Sequence, residues 1–571
     1  MKRSLLSAIL LTALAAVVGC GGPRPWNLNE PDVHPTDQDT LEKAPKERDP
    51  SLYWDAVNQS SFYLVERSLD LPRQYRKLTG QLKEAYNADC FGEIPDCSWF
   101  TNRHGRSRLT AAELTRGPRT IGGPDTSETW TITRAKTEGV TPGFFVKDAR
   151  GETFVLKFDP IAHPELATGA EMVSTSIFHA IGYNVPENYL VIFDPSILTI
   201  KDGLQFKTRR GEQEPFTPEV LARVLGKVAR RPDGRIRAIA SRLLPGKPLG
   251  PFSYHGLRKD DPNDLIPHQH RRELRGLKIF AEFTNHFDTK DHNSLDILVD
   301  DSTGRYVRHY LIDFGSTLGS DGDEPKAVYK GYAYVFDLEQ ALVSLGTLGL
   351  RQWSWEGAKP DGIPASVGYF ESDIFDPPGW KPLQANQAFD DMTHNDAFWA
   401  ARILAQFSED DIRACVAAGE YSDPAASEYL VRTLRERQQK ILGYYYSKVN
   451  PLDDFRLSRT GENLTLTFAD RWVDDGVGPA DRVTHRARIG QGKGSWTEWR
   501  DLGRERKITI DSEVLSQISD AIKSARSDYD QVFNIQIESH RDGAPPRWVR
   551  VYFYLDDALE SPRIVGIERE T

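Results

Sequence analysis

Two short runs near the middle of the chain carry side chains that could hold a divalent cation and work on a phosphate. One is His286-Phe287-Asp288-Thr289-Lys290-Asp291-His292-Asn293; the other is Asp313-Phe314-Gly315. Carboxylate and amide oxygens are hard ligands, suited to magnesium. Earlier, Gly139-Val140-Thr141-Pro142-Gly143 supplies a glycine loop, and Lys157 follows it. Backbone N–H groups in such a loop approach a phosphate with no Cβ in the way. A lysine on the following strand can reach the same phosphates. Phosphoryl transfer needs metal-held phosphates, charge neutralisation and an oriented hydroxyl, all at one place. Taken singly the loop and the lysine are weak signals, since a Gly-Pro hairpin followed by a surface lysine is the commoner arrangement.

These residues need elements to carry them. Thr131 to Thr137 reads as a strand before the loop, and Phe144 to Lys147 as a strand after it. Asp148-Ala149-Arg150-Gly151 makes a turn into a third strand, Glu152 to Phe158, with Lys157 near its end. A helix follows, with Pro164 in its first turn and Gly182 as its C-terminal cap. Leu166, Ala170, Val173, Ile177 and Ile181 give it an apolar stripe. Glu171 flanks that stripe and can pair with Lys157; Glu165 competes for the same role, and a solvated glutamate is the plainer alternative. A second helix over 274 to 284 runs into the His286–Asn293 loop. Strands at Leu295 to Val299 and Tyr306 to Ile312, joined by a turn at Asp300 to Gly304, end in Asp313.

In this order, the motifs resemble the catalytic core of protein kinases: glycine loop, strand lysine, helix glutamate, His-x-Asp-x-Lys-x-x-Asn, then Asp-Phe-Gly. The resemblance covers roughly residues 130 to 450. It implies a bilobal domain, with an N-lobe over about 130–245 and a C-lobe over about 246–450. It implies that Asp288 accepts the proton of the attacking hydroxyl and that Lys290 neutralises the transferring phosphoryl group. Asn293 and Asp313 would bind Mg²⁺ or Mn²⁺. Lys157, held by Glu171, would contact the phosphates of ATP beneath Gly139 and Gly143. There are departures. The loop is Gly-x-x-x-Gly with a proline inside, Asp288 and Asp313 are widely spaced, and no Ala-Pro-Glu follows Asp313. The stretch from Asn188 to Gly250 is long, with an inserted helix near Pro218 to Val228. These features lean toward the atypical, HipA-like and secretory-pathway kinases.

The remaining signals set the frame. A chain of 571 residues suggests three or four units, and 39% hydrophobic with 27% charged residues is a globular composition. A net charge of −11 argues against a general nucleic-acid binder. Lys2 and Arg3, the apolar run Leu5 to Val18 and Gly19-Cys20 read as a signal segment resembling a bacterial lipobox, with Cys20 lipidated; a simple secretory signal is the alternative. Localisation is then the cell envelope, periplasmic or surface-exposed, with the membrane as a partner through the lipid. Residues 21–50 read as a flexible tether, and 51–129 as a helical and irregular extension. Cys90 and Cys97 could pair or stay as thiols. Residues 451–571 alternate with period two, as in Phe533, Ile535 and Ile537, and suggest a β-sandwich.

The expected fold is therefore α+β: a bilobal protein-kinase-like domain followed by a C-terminal all-β sandwich-like domain. His268, His270, His286 and His292 lack zinc-ligand spacing. Trp472, Trp496 and Trp499 suit packing more than a sugar platform. The expected activity is an ATP-dependent phosphotransferase acting on a hydroxyl of a protein or small molecule. Two alternatives stand beside it: an inactive kinase-like binding lipoprotein, and an AMP transferase.

Overall fold

Helical periodicity after residue 50 resolves into three short helices, α1 (Leu52–Val57), α2 (Tyr63–Leu69) and α3 (Leu71–Thr79), with a π-helical turn at Asn58–Phe62. Ser51 caps α1 and Asp70 caps α3, each accepting a bond from a first-turn N–H. The computed structural model describes residues 25–28, 37–135, 143–207, 212–491, 495–523, 531–555 and 562–570. Cys20 and Gly139 lie outside these residues.

The segment expected to be a tether is docked wherever the structure describes it. The N–H of Asn27 donates to the carbonyl of Val565 at 3.0 Å, Leu41 to Arg305 at 2.7 Å, and Arg48 to Leu249 at 2.9 Å. Each acceptor lies on the outermost strand of a sheet. An open edge offers a row of backbone groups, and a polar segment can pair with it at little apolar cost. Leu41 is buried with Leu249 and Val307, which fixes the register. The extension is likewise no separate unit: Trp99, Phe100 and Leu114, the last on α4 (Ala111–Arg116), belong to the main core. Cys97 is a buried free thiol, so the Cys90–Cys97 bridge is not made.

The strands around the glycine loop form one sheet. β1 (Trp130–Ala135), β2 (Gly143–Lys147) and β3 (Thr153–Phe158) are successive antiparallel neighbours. After α5 (Leu166–Ile181) come β4 (Asn188–Phe193), β5 (Leu198–Ile200) and a small hairpin, β6 (Gln205–Lys207) and β7 (Gln213–Pro215). Then come α6 (Pro218–Leu225) and β8 (Ile236–Arg242), giving the sheet order β4-β8-β3-β2-β1-β5. Alternating Phe144, Val146, Phe154, Leu156 and Phe158 form an apolar face covered by Leu225 and Val228 of the insertion. The inserted helix stops at Leu225, before Gly226. α5 is buried on almost every side, His179 excepted. It is wedged between the sheet and the second lobe, which is why its apolar residues are not confined to one stripe.

The second lobe begins with β9 (Lys247–Gly250), which pairs with the hairpin of β10 (Ser294–Asp301) and β11 (Gly304–Leu311). Its helices are α7 (Arg272–Thr284), α8 (Leu338–Gly346), α9 (Gln387–Asp390), α10 (His394–Ala405), α11 (Glu409–Ala417) and α12 (Pro424–Tyr446). Residues 347–386 between α8 and α9 carry no α-helix. Leu277, Phe280, Trp399, Leu404, Leu434 and Ile441 centre the core.

The C-terminal part is not all-β. A three-stranded and a six-stranded antiparallel sheet share a core that includes Leu466, Ile508, Ile535 and Val551. Leu515 and Ile518 of the helix α13 (Ser512–Lys523) enter that core. Their i, i+3 spacing lies between stretches that alternate with period two, which is what hides a single helix in such a reading. Trp496 and Trp499 stack with Arg488, 4.3 and 4.5 Å from its guanidinium, so they pack on the sheet face.

Candidate functional site

Lys157 sits in β3 opposite Gly143, so the end of the glycine loop lies beside it. Its Nζ donates to both oxygens of Glu171 at 3.2 Å and to Oδ1 of Asp313 at 2.8 Å. Burial works against the ammonium charge, but the carboxylates of Asp313 and Glu171 outweigh it and hold its pKa above the ordinary lysine value. Glu171 is buried on α5, one turn into the helix, and needs partners there. Asn188 supplies one: its amide donates to Glu171 Oε1 at 3.1 Å and to Thr175 Oγ1 at 2.9 Å. Glu165 is engaged elsewhere, accepting the N–H and hydroxyl of Ser422 at 2.9 and 3.0 Å.

The loop after α7 is set by its cap. Asn285 adopts φ 51°, a left-handed conformation that asparagine tolerates, and its side chain accepts a bond from Trp380 Nε1 at 2.8 Å. The chain then turns so that Asp288, Lys290 and Asn293 converge. Lys290 Nζ donates to Asp288 Oδ2 at 2.9 Å, and Asn293 Nδ2 donates to the same oxygen at 3.0 Å and to the Asp288 carbonyl at 2.8 Å. The carbonyl of Asn293 accepts the N–H of Ile312 at 3.0 Å, tying this loop to the residue before Asp313.

Asp313 has φ 65°. An aspartate held in the left-handed region costs on the order of 1 kcal/mol or more, so neighbours must over-determine it. Phe314 does this from one side, stacked on Phe178 of α5 with ring centres 4.8 Å apart. His286 contacts both rings, at 5.9 and 5.5 Å. Burial holds the His286 imidazole neutral, lowering its pKa to about 4 despite Asp288 and the Ser316 backbone nearby. A Cβ at Gly315 would stand 3.4 Å from Glu171, so this position keeps the acidic pair uncrowded.

Lys157, Glu171, Asp288, Lys290, Asp313 and Asp321 line one cleft, whose enclosed part measures about 110 Å³. Four carboxylates face two lysines there. Asp321 is additionally paired with Lys330. Burial raises the pKa of Asp321, Lys330 works against the rise, and the negative charge of Asp288 adds to it. Such an excess of negative charge suits a cation. Among the described residues no group of three His, Cys, Asp or Glu side chains forms a ready-made metal centre. Magnesium is usually held by one or two carboxylates plus substrate phosphates, so Asp313 and the side-chain oxygen of Asn293 fit it without a full protein cage.

Lys157, Glu171, Asp288, Lys290 and Asp313, all expected from the sequence, line the cleft, with Asn293 bonded to Asp288 and Gly143 beside Lys157. No site role for Asn188, Phe178 or Asp321 was read from the sequence. A buried asparagine at a strand start leaves no sequence pattern, whereas the acidic run Gly319-Ser320-Asp321-Gly322-Asp323-Glu324 is a signal that points to Asp321. Of the histidines, His268 bonds to Asp264 at 2.8 Å and His270 accepts from Arg275 at 2.7 Å, so each serves its own local contact.

No family model matches the chain, and no curated protein matches it in sequence. Among solved structures it is similar to the Helicobacter pylori proinflammatory kinase CtkA, at 14% identity and a TM-score of 0.32, over 57% of this chain and 98% of that one. It is also similar to the Golgi casein kinase, at 11% identity and a TM-score of 0.27, over 73% of this chain and 95% of that one. The same kinase with Mn and ADP bound aligns at 11% identity and a TM-score of 0.26, over 72% of this chain and 94% of that one.

Proposed function

We propose that the cleft binds a nucleoside triphosphate with Mg²⁺ or Mn²⁺ and transfers a phosphoryl group to a hydroxyl of a protein or small molecule. We further propose that the chain is held in the cell envelope by a lipid on Cys20. One observation carries the enzymatic reading. The Lys157–Glu171–Asp313 cluster shares a cleft with Asp288 and Lys290, and Asn293 is bonded to Asp288, although the two groups are drawn from distant parts of the sequence.

Each residue then has a task. Lys157, clamped between two carboxylates, presents a fixed positive charge to phosphate oxygens. Asp313 and Asn293 would hold the metal, which when bound neutralises phosphate charge. Oδ2 of Asp288 is taken by Lys290 and Asn293, which leaves Oδ1 to accept the proton of an attacking hydroxyl. Lys290 orients Asp288 and adds positive charge where the phosphoryl group passes. The enclosed volume suits phosphate and cation.

The test is thermal unfolding of the protein with and without ATP and Mg²⁺ or Mn²⁺, since a ligand that binds only the native state raises the midpoint. A rise that disappears in Asp313→Ala supports the reading. No rise with any nucleotide or metal overturns it in favour of a binding lipoprotein. Incubation with α- and γ-labelled ATP separates the reactions: γ-label in the acceptor supports phosphoryl transfer, and α-label instead means nucleotidyl transfer.

A further inference from the structure

Soluble surfaces scatter their exposed apolar side chains, and this one does not. Of the twenty-one large apolar side chains exposed among the described residues, fifteen fall in two segments, residues 53–86 and 335–350. The first includes Tyr53 at 80% exposed, Trp54 at 57%, Leu69 at 71% and Leu78 at 87%; the second includes Leu345 at 72% and Leu348 at 86%. The segments are neighbours in space. Tyr63 bonds to Asp390 at 2.9 Å, Arg67 pairs with the same carboxylate, and Arg67 also interacts with Tyr334. The first segment thus meets the chain at Tyr334, immediately before the second, and the two offer an exposed apolar surface rich in aromatic residues, with the cations Arg76 and Lys77 on α3.

We infer that this face lies on a lipid bilayer. The inference rests on the lipid-anchor reading of Cys20 in one respect, the reach of the chain. Pro25 to Leu28 are docked on the C-terminal sheet, with Trp26 and Leu28 packed against Val565 and Tyr552. Only four residues lie between Cys20 and Pro25, a span of at most about 18 Å. A lipid at Cys20 thus holds the folded body against the membrane surface. No helix among the described residues is long and apolar enough to cross a bilayer, so these helices lie on it. Trp and Tyr beside Leu, with Arg and Lys at the margin, is the composition of helices that settle at the headgroup level.

The same helices reach the cleft from behind. Asp55 on α1 lies 3.6 Å from His292 Nδ1, and Gln59 in the following turn bonds to the side chain of Asp291. The segment that carries the apolar face therefore also contacts the Lys290–Asn293 loop, which sets the cleft close to the membrane surface.

The protein from residue 21 onward contains every described residue and carries no lipid, so it tests the face apart from the anchor. Its co-flotation is measured with vesicles of three parts phosphatidylethanolamine to one part phosphatidylglycerol. The expected result is binding that falls at least tenfold in the combined Leu69→Glu, Leu78→Glu, Leu345→Glu variant. These side chains are exposed, so the unfolding midpoint and any rise with ATP and Mg²⁺ should match the parent protein. A failed nucleotide test would leave this result standing, and the converse also holds. The proposal is overturned if the parent protein does not float. It is equally overturned if sedimentation shows a dimer that the same substitutions dissociate, which would mean that a second copy covers the face.

Discussion

Lys157 and Asp313 are 156 positions apart in the chain and 2.8 Å apart in space. The pair joins the sheet of the first lobe to the segment that follows β11, and Glu171 on α5 completes it from a third direction. Three elements meet at one ammonium group.

Lys157→Met keeps the length and removes the charge. Removing one preorganised charge from a transfer site costs roughly 10²–10³-fold in turnover. We expect a loss of that size in phosphate-transfer assays. An unchanged rate would remove Lys157 from the mechanism.

Asp288→Asn should separate binding from transfer. The amide keeps an oxygen for Lys290 but cannot accept the hydroxyl proton, a step worth roughly 10²–10⁴-fold. Nucleotide-dependent stabilisation should stay near the parent value while turnover drops by that factor. Equal loss of both would show that Asp288 serves binding instead.

Asn188→Ala tests how Glu171 is held. The substitution leaves a buried carboxylate short of one donor, and an unsatisfied buried group costs about 1–3 kcal/mol. Denaturant unfolding should show a loss in that range, with reduced nucleotide stabilisation as Glu171 shifts. Full stability in the variant would mean that Thr175 or solvent replaces Asn188.

His286 gives the fold an acid-sensitive contact. Its pKa is about 4 in the folded protein against 6.5 for the free side chain. Between these values the unfolded chain binds more protons, so stability rises with pH across that window. The contribution is complete above pH 6.5 and is lost as pH falls to 4, amounting to about 3 kcal/mol. His286→Phe should flatten the unfolding free energy over this range. An unchanged slope would assign the acid sensitivity to other groups.

The position of the site was legible because its residues come in fixed local spacings. The Asp288–Asn293 run and Asp313-Phe314-Gly315 each lie within a few residues, and a helix cap and a hairpin suffice to present them. The choice between Glu165 and Glu171 was not legible. Glu165 precedes α5 and Glu171 lies within it, and only the packing of α5 against the sheet turns Glu171 inward while Ser422 takes Glu165.

By itself the sequence determined what local chemistry determines: the strands on either side of residues 136–142, the cap at Gly182, the helix before His286 and the β10–β11 turn. Tertiary structure decided what depends on which surfaces are left open. Residues 37–50 lie along β9 and β11 because those edges have unpaired backbone groups, which no property of the segment itself announces. α13 is part of the C-terminal core because two sheets leave room for Leu515 and Ile518. Local periodicity names an element, but only long-range packing determines what that element will touch.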